Sequence, residues 1–468
     1  MPEIRPEKPA GLIRGMGFAA TASMNIANII GTGVFLKARV MTCNVGSPIA
    51  VLAVWLAAGV LVLAGALTYA ELASMMPKAG GEYVFLREAY GRRCAFLYGW
   101  TYLVVSRGGS LSAQAVSTAI FFNILTGGGM DRWRLALASG IAIALMAWIN
   151  CVAVKMTGRV AAALTAIKTV TVFSVGAMAF AVARGNWGHY LLSGADGTCE
   201  GVAAAARGGM AGCGAAMIGA LWGFQGWANV TTMAGEIRDP QRNIVRAFST
   251  AVLVVGSLYF FANAGYFYAL APREVASVSL RSSVATEALS RLLGPAAIGL
   301  MAMAMMISSL GALHTGIAAT ARVPYAMAAD GAFFSGLAKL SAAHVPVRAV
   351  VLTACWSALL AASGSYDKLT DWAIFALWLF YGLNAGAVIV LRRKLPHAAR
   401  PYRVWGYPVV PAVFMLVTAW LLLNTLFTAP VQAAAGLGLL LLGLPLSFYW
   451  ERNLARKSGL DMMDLKPE

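Results

Sequence analysis

The chain has 468 residues, of which 59% are hydrophobic and 12% charged, and it carries a net charge of +17. It is too apolar and too poor in charge for a soluble domain, so it reads as an all-α integral membrane protein. The basic excess does not mark a nucleic-acid surface, because Lys and Arg fall between apolar runs instead of clustering with aromatic residues.

Apolar runs bounded by charges, Gly or Pro predict spans near residues 16 to 41, 48 to 74, 94 to 125, 133 to 154, 159 to 184, 211 to 236, 245 to 270, 288 to 328, 347 to 363, 370 to 391, 407 to 427 and 431 to 449, twelve in all. No stretch between them is long enough for a separate soluble domain. The expected organisation is a tail at 1–15, one transmembrane domain at 16–451 and a second tail at 452–468. If the N-terminus is cytoplasmic, most of the 36 Lys and Arg fall on inner segments, which puts both tails inside. The densest cluster, Arg392, Arg393, Lys394, Arg400 and Arg403, reads as an inner-loop topology signal. The first apolar run continues straight into a glycine break, so it is expected to be retained as a helix and not removed as a signal peptide.

Span 1 is interrupted by Ile29-Ile30-Gly31-Thr32-Gly33, and span 6 by Gly223-Phe224-Gln225-Gly226. Glycine is a poor helix former, and in hydrocarbon an unwound turn leaves N–H and C=O groups that something must satisfy. Breaks in spans 1 and 6 imply a five-span repeat, residues 16 to 184 and again 211 to 391. Five is odd, so the second copy is inverted. Such repeats carry substrate sites near the bilayer midplane in secondary transporters. Spans 11 and 12, about 407 to 451, lie outside the symmetry and are left for packing or dimerisation, so both monomer and homodimer stay open.

A helix break offers free carbonyls on one side and free N–H groups with a positive dipole end on the other. An α-amino acid is the complementary ligand. Its carboxylate is expected on the N–H groups of Thr32 and Gly33, beside Gly31, with the Thr32 hydroxyl as an added donor. Its ammonium is expected on the carbonyls of Ile29, Trp222 and Gln225. The blander reading of one break is a glycine kink that only relieves packing. Trp222, Phe224 and Trp227 surround the second break, and Trp222 is the expected gate.

Two cations fall inside spans. Lys168, in Leu164-Thr165-Ala166-Ile167-Lys168-Thr169-Val170, has no acid nearby in sequence. It is expected to occupy the place that sodium fills in related symporters, bracing span 1 against spans 5 and 8 with Ser308 and Ser309; snorkelling to the inner interface is the alternative. Arg107, followed by Gly108, Gly109 and Ser110, serves either structural pairing with carbonyls or substrate contact and gating. Apart from Glu71 and Glu236 near predicted inner ends, no carboxylate lies deep in a span, which favours exchange over proton or sodium symport. The six cysteines show no Cys-x-x-Cys and no pairing with the four histidines, so neither a metal site nor a cofactor is expected. Cys199 and Cys213 lie in or beside the loop before span 6 on the predicted outer side, where they form either a disulfide or two free thiols.

These residues together resemble a known family. Ile29 to Phe35, Glu71-Leu72, Gly80-Gly81-Glu82-Tyr83, Gly226 to Val230, Gly235 to Asn243, Ser309 to Ala312, Arg322 to Ala328 with Asp330-Gly331, and Arg400 to Pro408 are similar to motifs of the amino acid, polyamine and organocation transporter superfamily. The likeness is nearest to its L-type amino acid transporter branch and that branch's bacterial relatives. The resemblance implies a twelve-helix fold of the leucine-transporter type, alternating access, the clamp described above and a functional span 5 lysine matching Lys168. It implies a multi-pass protein of the bacterial cytoplasmic membrane that binds amino acid and lipid. Many relatives have Asn where this chain has Ala228, and the residue before Gly226-Trp227 is Gln225, so specificity does not carry over. Animal L-type transporters join a single-span glycoprotein through a cysteine between spans 3 and 4; residues 126 to 133 contain none, so no such subunit is expected.

The leading expectation is a sodium-independent antiporter of neutral amino acids. The alternatives are a cationic amino acid or polyamine exchanger, a proton-coupled permease, and a non-transporting amino acid sensor. A membrane enzyme is disfavoured, because His-Glu-x-x-His, Gly-x-Ser-x-Gly and phosphate-binding loops are all missing from the sequence.

Overall fold

The computed structural model describes residues 12–458, other than 153, 183–184, 194–195, 280–281 and 364–365. Helices α1 (Phe18–Ile29) and α2 (Gly33–Val45) are halves of one apolar run, bent by 43° at their break. Gly46, left-handed at φ 70°, caps α2, and Ser47-Pro48 restarts the chain as α3 (Pro48–Met75), the Ser47 hydroxyl accepting from the Ala50 N–H. After α4 (Glu82–Tyr90), α5 (Arg92–Trp100) runs through a π-helical stretch, Thr101–Arg107, into α6 (Gly108–Leu125). Next come α7 (Arg132–Val152) and α8 (Val154–Phe180). Helix α9 (Gly209–Gly223) ends at the second break, beyond which Asn229–Glu236 continue as a 3-10 helix.

The remainder comprises α10 (Pro240–Ala269), α11 (Pro272–Ala276), α12 (Val284–Leu293), α13 (Ala296–Ala329), α14 (Val347–Ser363), α15 (Tyr366–Lys394), α16 (Val409–Thr428), α17 (Pro430–Leu441) and α18 (Gly443–Ser458). The run expected at 288 to 328 is thus divided. Gly294 caps α12 at φ 56° and Pro295 precedes α13, so the long helix starts at Ala296. Among the described residues, eight segments are long and apolar enough to cross a membrane, or nine with the bent pair counted as one. The chain is a multi-pass membrane protein.

Helix α10 packs against α3, α8 and α1, α13 against α6, and α2 against α9. These contacts place both breaks inside the bundle. The two broken runs lie in opposite directions. On one face, the Met16 N–H donates to the Glu236 carbonyl at 3.0 Å and the Arg238 N–H to the Met16 carbonyl at 2.8 Å, so α1 begins where the 3-10 segment ends. On the other, the Gly208 N–H donates to the Asn44 carbonyl at 2.7 Å, so α2 ends where α9 begins.

Ion pairs on two buried carboxylates hold the Met16 face together. Arg322 of α13 grips Glu236 through two bonds of 2.6 and 3.0 Å, and Arg392 of α15 grips Glu71 of α3 through two of 2.8 and 2.7 Å. The Glu71 carboxylate also accepts the Val404 N–H at 2.7 Å. Part of the basic cluster read as a topology signal therefore serves as an internal clamp.

A disulfide ties the Asn44 face, and it follows neither arrangement read for Cys199 and Cys213. Cys199 pairs with Cys43, and Cys213 is a half-buried free thiol. Cys43 lies in the last turn of α2, against which residues 199 to 208 fold: Arg39 donates to the Glu200 carbonyl at 2.7 Å and Asn44 to the Ala206 carbonyl at 2.6 Å. Cys213 sits in the second turn of α9 and cannot reach Cys199 while that thiol is committed to α2.

Candidate substrate site

Each break forms where the sequence cannot sustain a helix. Ile30 turns out of α1 in an extended conformation (φ −67°, ψ 103°), and Thr32 precedes the first residue of α2, with its side chain making no capping bond. At the second break, Phe224 to Ala228 form turns before the 3-10 segment. The two breaks meet through glycine. A Cβ on Gly33 would stand 2.9 Å from the Gly223 Cα, and one on Gly226, at φ 101°, would stand 2.5 Å from the Asn28 carbonyl oxygen.

The carbonyls freed at the end of α1 are shared among fixed donors. The Lys168 ammonium of α8, 1% exposed, donates to the Ala27 carbonyl at 2.9 Å and the Ile30 carbonyl at 2.6 Å. A cation at a helix C-terminus meets the negative end of the dipole, so these contacts brace the break electrostatically as well as by hydrogen bonding. Snorkelling is excluded by this geometry. Ser308 of α13 donates its hydroxyl to the Gly31 carbonyl at 3.3 Å; Ser309 is buried, its hydroxyl unpartnered among the described residues. The Tyr259 hydroxyl of α10 stands 3.1 Å from both the Ile29 and Gly223 carbonyls, a tie between the breaks that sequence reading missed.

A small cavity of about 40 Å³ lies where the breaks meet, lined by Asn28, Ile29, Gly31, Thr32, Gly33, Trp222, Gln225 and, from α6, Ser110 and Gln114. That is room for about three waters. Six expected residues, Ile29, Gly31, Thr32, Gly33, Trp222 and Gln225, are brought together here. Phe224 and Ala228 are not: both are fully buried, and the Phe224 ring packs at 6.0 Å from Trp55 and 5.5 Å from Tyr259. The half-buried Trp222 ring borders the cavity on one side and receives the Lys37 ammonium of α2 at 4.4 Å from its centroid.

Arg107 also lines the cavity. Its position comes from the π-helical stretch, which ends at Arg107 and advances that residue by widening the helix; the Val104 carbonyl in that stretch is taken by the Trp356 indole N–H at 2.9 Å. Arg107 is 6% exposed and its Nε donates to the Thr320 hydroxyl at 3.3 Å. No Asp or Glu lines the cavity among the described residues.

Residues at the start of α2 and at the second break, the polar side chains of Asn28, Ser110, Gln114 and Gln225 and the charged Arg107 border one cavity, an arrangement with the chemistry to accept a zwitterion. Residues 16–444 match the amino acid permease family, and the chain belongs to it, within the amino acid, polyamine and organocation superfamily. The chain is 27% identical over 452 residues to the large neutral amino acids transporter small subunit 2 of Rattus norvegicus, covering 94% of this chain and 82% of that protein. It is 26% identical over 449 residues to the serine/threonine exchanger SteT of Bacillus subtilis (strain 168), covering 95% and 98%. It is 25% identical over 460 residues to the human cystine/glutamate transporter, covering 96% and 87%.

Proposed function

We propose that this protein is a sodium-independent exchanger of small neutral L-amino acids that works by alternating access. The observation that carries the reading is the meeting of two opposed helix breaks at one cavity, with Lys168 already seated on the carbonyl side. In this reading α1–α2, α3, α5–α6, α7 and α8 form one repeat. The broken α9 run, α10, α13, α14 and α15 form its inverted copy, with α16 and α17–α18 added, giving twelve spans of the leucine-transporter type. The Met16 face and both termini are cytoplasmic, in a bacterial cytoplasmic membrane.

The substrate carboxylate takes the N–H groups of Thr32 and Gly33 together with the Thr32 hydroxyl, at the positive end of α2. The substrate ammonium takes the carbonyls of Ile29, Trp222 and Gln225. The side chain faces Ser110, Gln114, Gln225 and Asn28, which suits a short, polar or small residue. A cationic amino acid or polyamine is disfavoured, because the charged side chain lining the cavity is Arg107 and no carboxylate lines it among the described residues. Trp222 is the gate, held by Lys37 from the α2 side, and its swing opens the cavity. The Lys168 ammonium does the work of a sodium ion by holding the end of α1, so transport needs no sodium.

A thermal-shift screen of the twenty amino acids, putrescine and agmatine, with and without sodium, tests the substrate class. Stabilisation by L-serine, L-threonine or L-alanine in sodium-free buffer is expected. Stabilisation by L-lysine or putrescine alone, or a response that requires sodium, overturns the reading.

A further inference from the structure

Glu82 opens α4, between the spans expected at 48 to 74 and 94 to 125, directly after the Gly80-Gly81 turn that packs against Thr231 of the 3-10 segment. It is 1% exposed. Its Oε1 accepts the Tyr69 hydroxyl at 3.0 Å and its Oε2 the Tyr98 hydroxyl at 2.6 Å. Among the described residues it has no ion-pair partner, in contrast to Glu71 and Glu236, which are equally buried but bound to arginine. The elements around it present Tyr69 from α3, Tyr98 from α5, Tyr102 and Arg107 from the π-helical stretch and Tyr381 from α15. Phenols and guanidinium ordinarily titrate far above neutrality, so the carboxyl is the one group of this cluster that ordinarily titrates below it.

The cluster is joined to the cavity. The Tyr98 and Tyr102 rings are 5.3 Å apart; the Tyr102 hydroxyl donates to Asn229 Oδ1 at 3.2 Å, and Asn229 Nδ2 donates to Asn28 Oδ1 at 3.3 Å. Asn28 and Arg107 both line the cavity. When Glu82 is ionised, its charge offsets that of Arg107. When it is protonated, Arg107 faces the cavity as an uncompensated cation and attracts a substrate carboxylate more strongly.

We propose that Glu82 is a proton-binding site linked to the cavity, so that a proton and an amino acid are bound together. The proton comes from water onto one carboxylate oxygen, and returns to water when movement of the 3-10 segment on the Met16 face hydrates the site. Burial is the larger influence on this carboxyl and pushes it up to about 7, against the two phenol donors and Arg107, which favour the charged form. The sign follows. The folded protein holds this proton more tightly than the unfolded chain, so the associated stability is full below the ordinary value of 4.5 and is lost as pH rises through about 7.

The inference uses the cavity as an amino acid site and in that respect rests on the proposed function. Two readouts on the purified full-length protein keep the two apart. Without substrate, thermal unfolding is followed from pH 5.5 to 8.5. The wild type is expected to lose stability through about pH 7 relative to Glu82→Gln, and Tyr98→Phe, which removes a donor to the carboxylate, is expected to move that midpoint upward. With L-serine as the probe, wild-type affinity is expected to fall by up to about tenfold per pH unit above 7, while Glu82→Gln stays tight and flat. The proposal is overturned if Glu82→Gln shows the wild-type pH profile in thermal unfolding, or if Tyr98→Phe leaves the midpoint in place. Binding of L-serine that is independent of pH in the wild type overturns the linkage to the cavity. Failure of L-serine to bind at any pH counts against the proposed substrate class, and the substrate-free profiles then decide the proton site.

Discussion

Replacing Lys168 with Met keeps most of the side-chain volume and removes the ammonium. The wild-type side chain makes two charge-assisted hydrogen bonds, at 2.9 Å to Ala27 and 2.6 Å to Ile30, inside a fully buried site. Bonds to a charged group contribute about 1.5–3 kcal/mol each, so about 3–6 kcal/mol that holds the end of α1 is lost. Two carbonyls at the negative end of the α1 dipole are left without that donor. If the cavity exists only while α1 is held in this position, even the lower figure weakens substrate binding by more than about a hundredfold. The assay is the affinity for L-serine by thermal shift, together with the rate of exchange in proteoliposomes from each face. Lys168→Met with wild-type affinity and wild-type exchange on both faces would refute the argument that this ammonium organises the site.

Three further outcomes are expected. Gly226→Ala forces a Cβ to 2.5 Å from the Asn28 carbonyl oxygen, where an ordinary contact needs 3.4 Å, at a φ of 101°; about 1–3 kcal/mol of strain should separate the breaks and abolish binding while the purified protein remains monodisperse. Unchanged affinity in that variant would show that the breaks need not touch. Glu236→Gln strands the buried Arg322 guanidinium, a loss of about 3–5 kcal/mol seen as a lower thermal midpoint, and Glu236→Gln with Arg322→Met should recover much of it; a single variant as stable as the wild type contradicts the clamp. Reduction of the Cys43–Cys199 bond, which joins positions 156 apart, should lower the thermal midpoint by an amount corresponding to about 2–4 kcal/mol; Cys213→Ser should leave the response to reductant intact, and loss of that response in Cys213→Ser would contradict the pairing.

The two breaks and Lys168 were legible in the sequence because each is a local contradiction: glycines inside an apolar helix, or a charge inside hydrocarbon. What the sequence left hidden is long-range or without period. Helical spacing tells which way a side chain faces, but Phe224 and Ala228 lie in turns where no period applies, and tertiary packing drove both into the core instead of the cavity. Cys43 lies two residues past the end expected for span 1, and only the folding of residues 199 to 208 onto α2 brings it to Cys199. Glu82 follows two glycines in a connecting segment, where no helical period tells which way it faces; it is held by Tyr69 and Tyr98 from two other helices. The π-helical advance of Arg107 leaves no mark in composition, though a mid-span arginine next to Gly108-Gly109 did flag the position.

The central claim is that the two breaks form one amino acid site that moves its ligand across the membrane. Counterflow tests it most directly: purified protein in liposomes loaded with unlabelled L-serine, in sodium-free buffer, with labelled L-serine outside. The account predicts rapid, transient accumulation of label that depends on the internal amino acid and is lost in Gly226→Ala. Binding of L-serine without any flux would mark the protein as a sensor on the transporter fold, and flux that appears only with sodium would contradict the role given to Lys168.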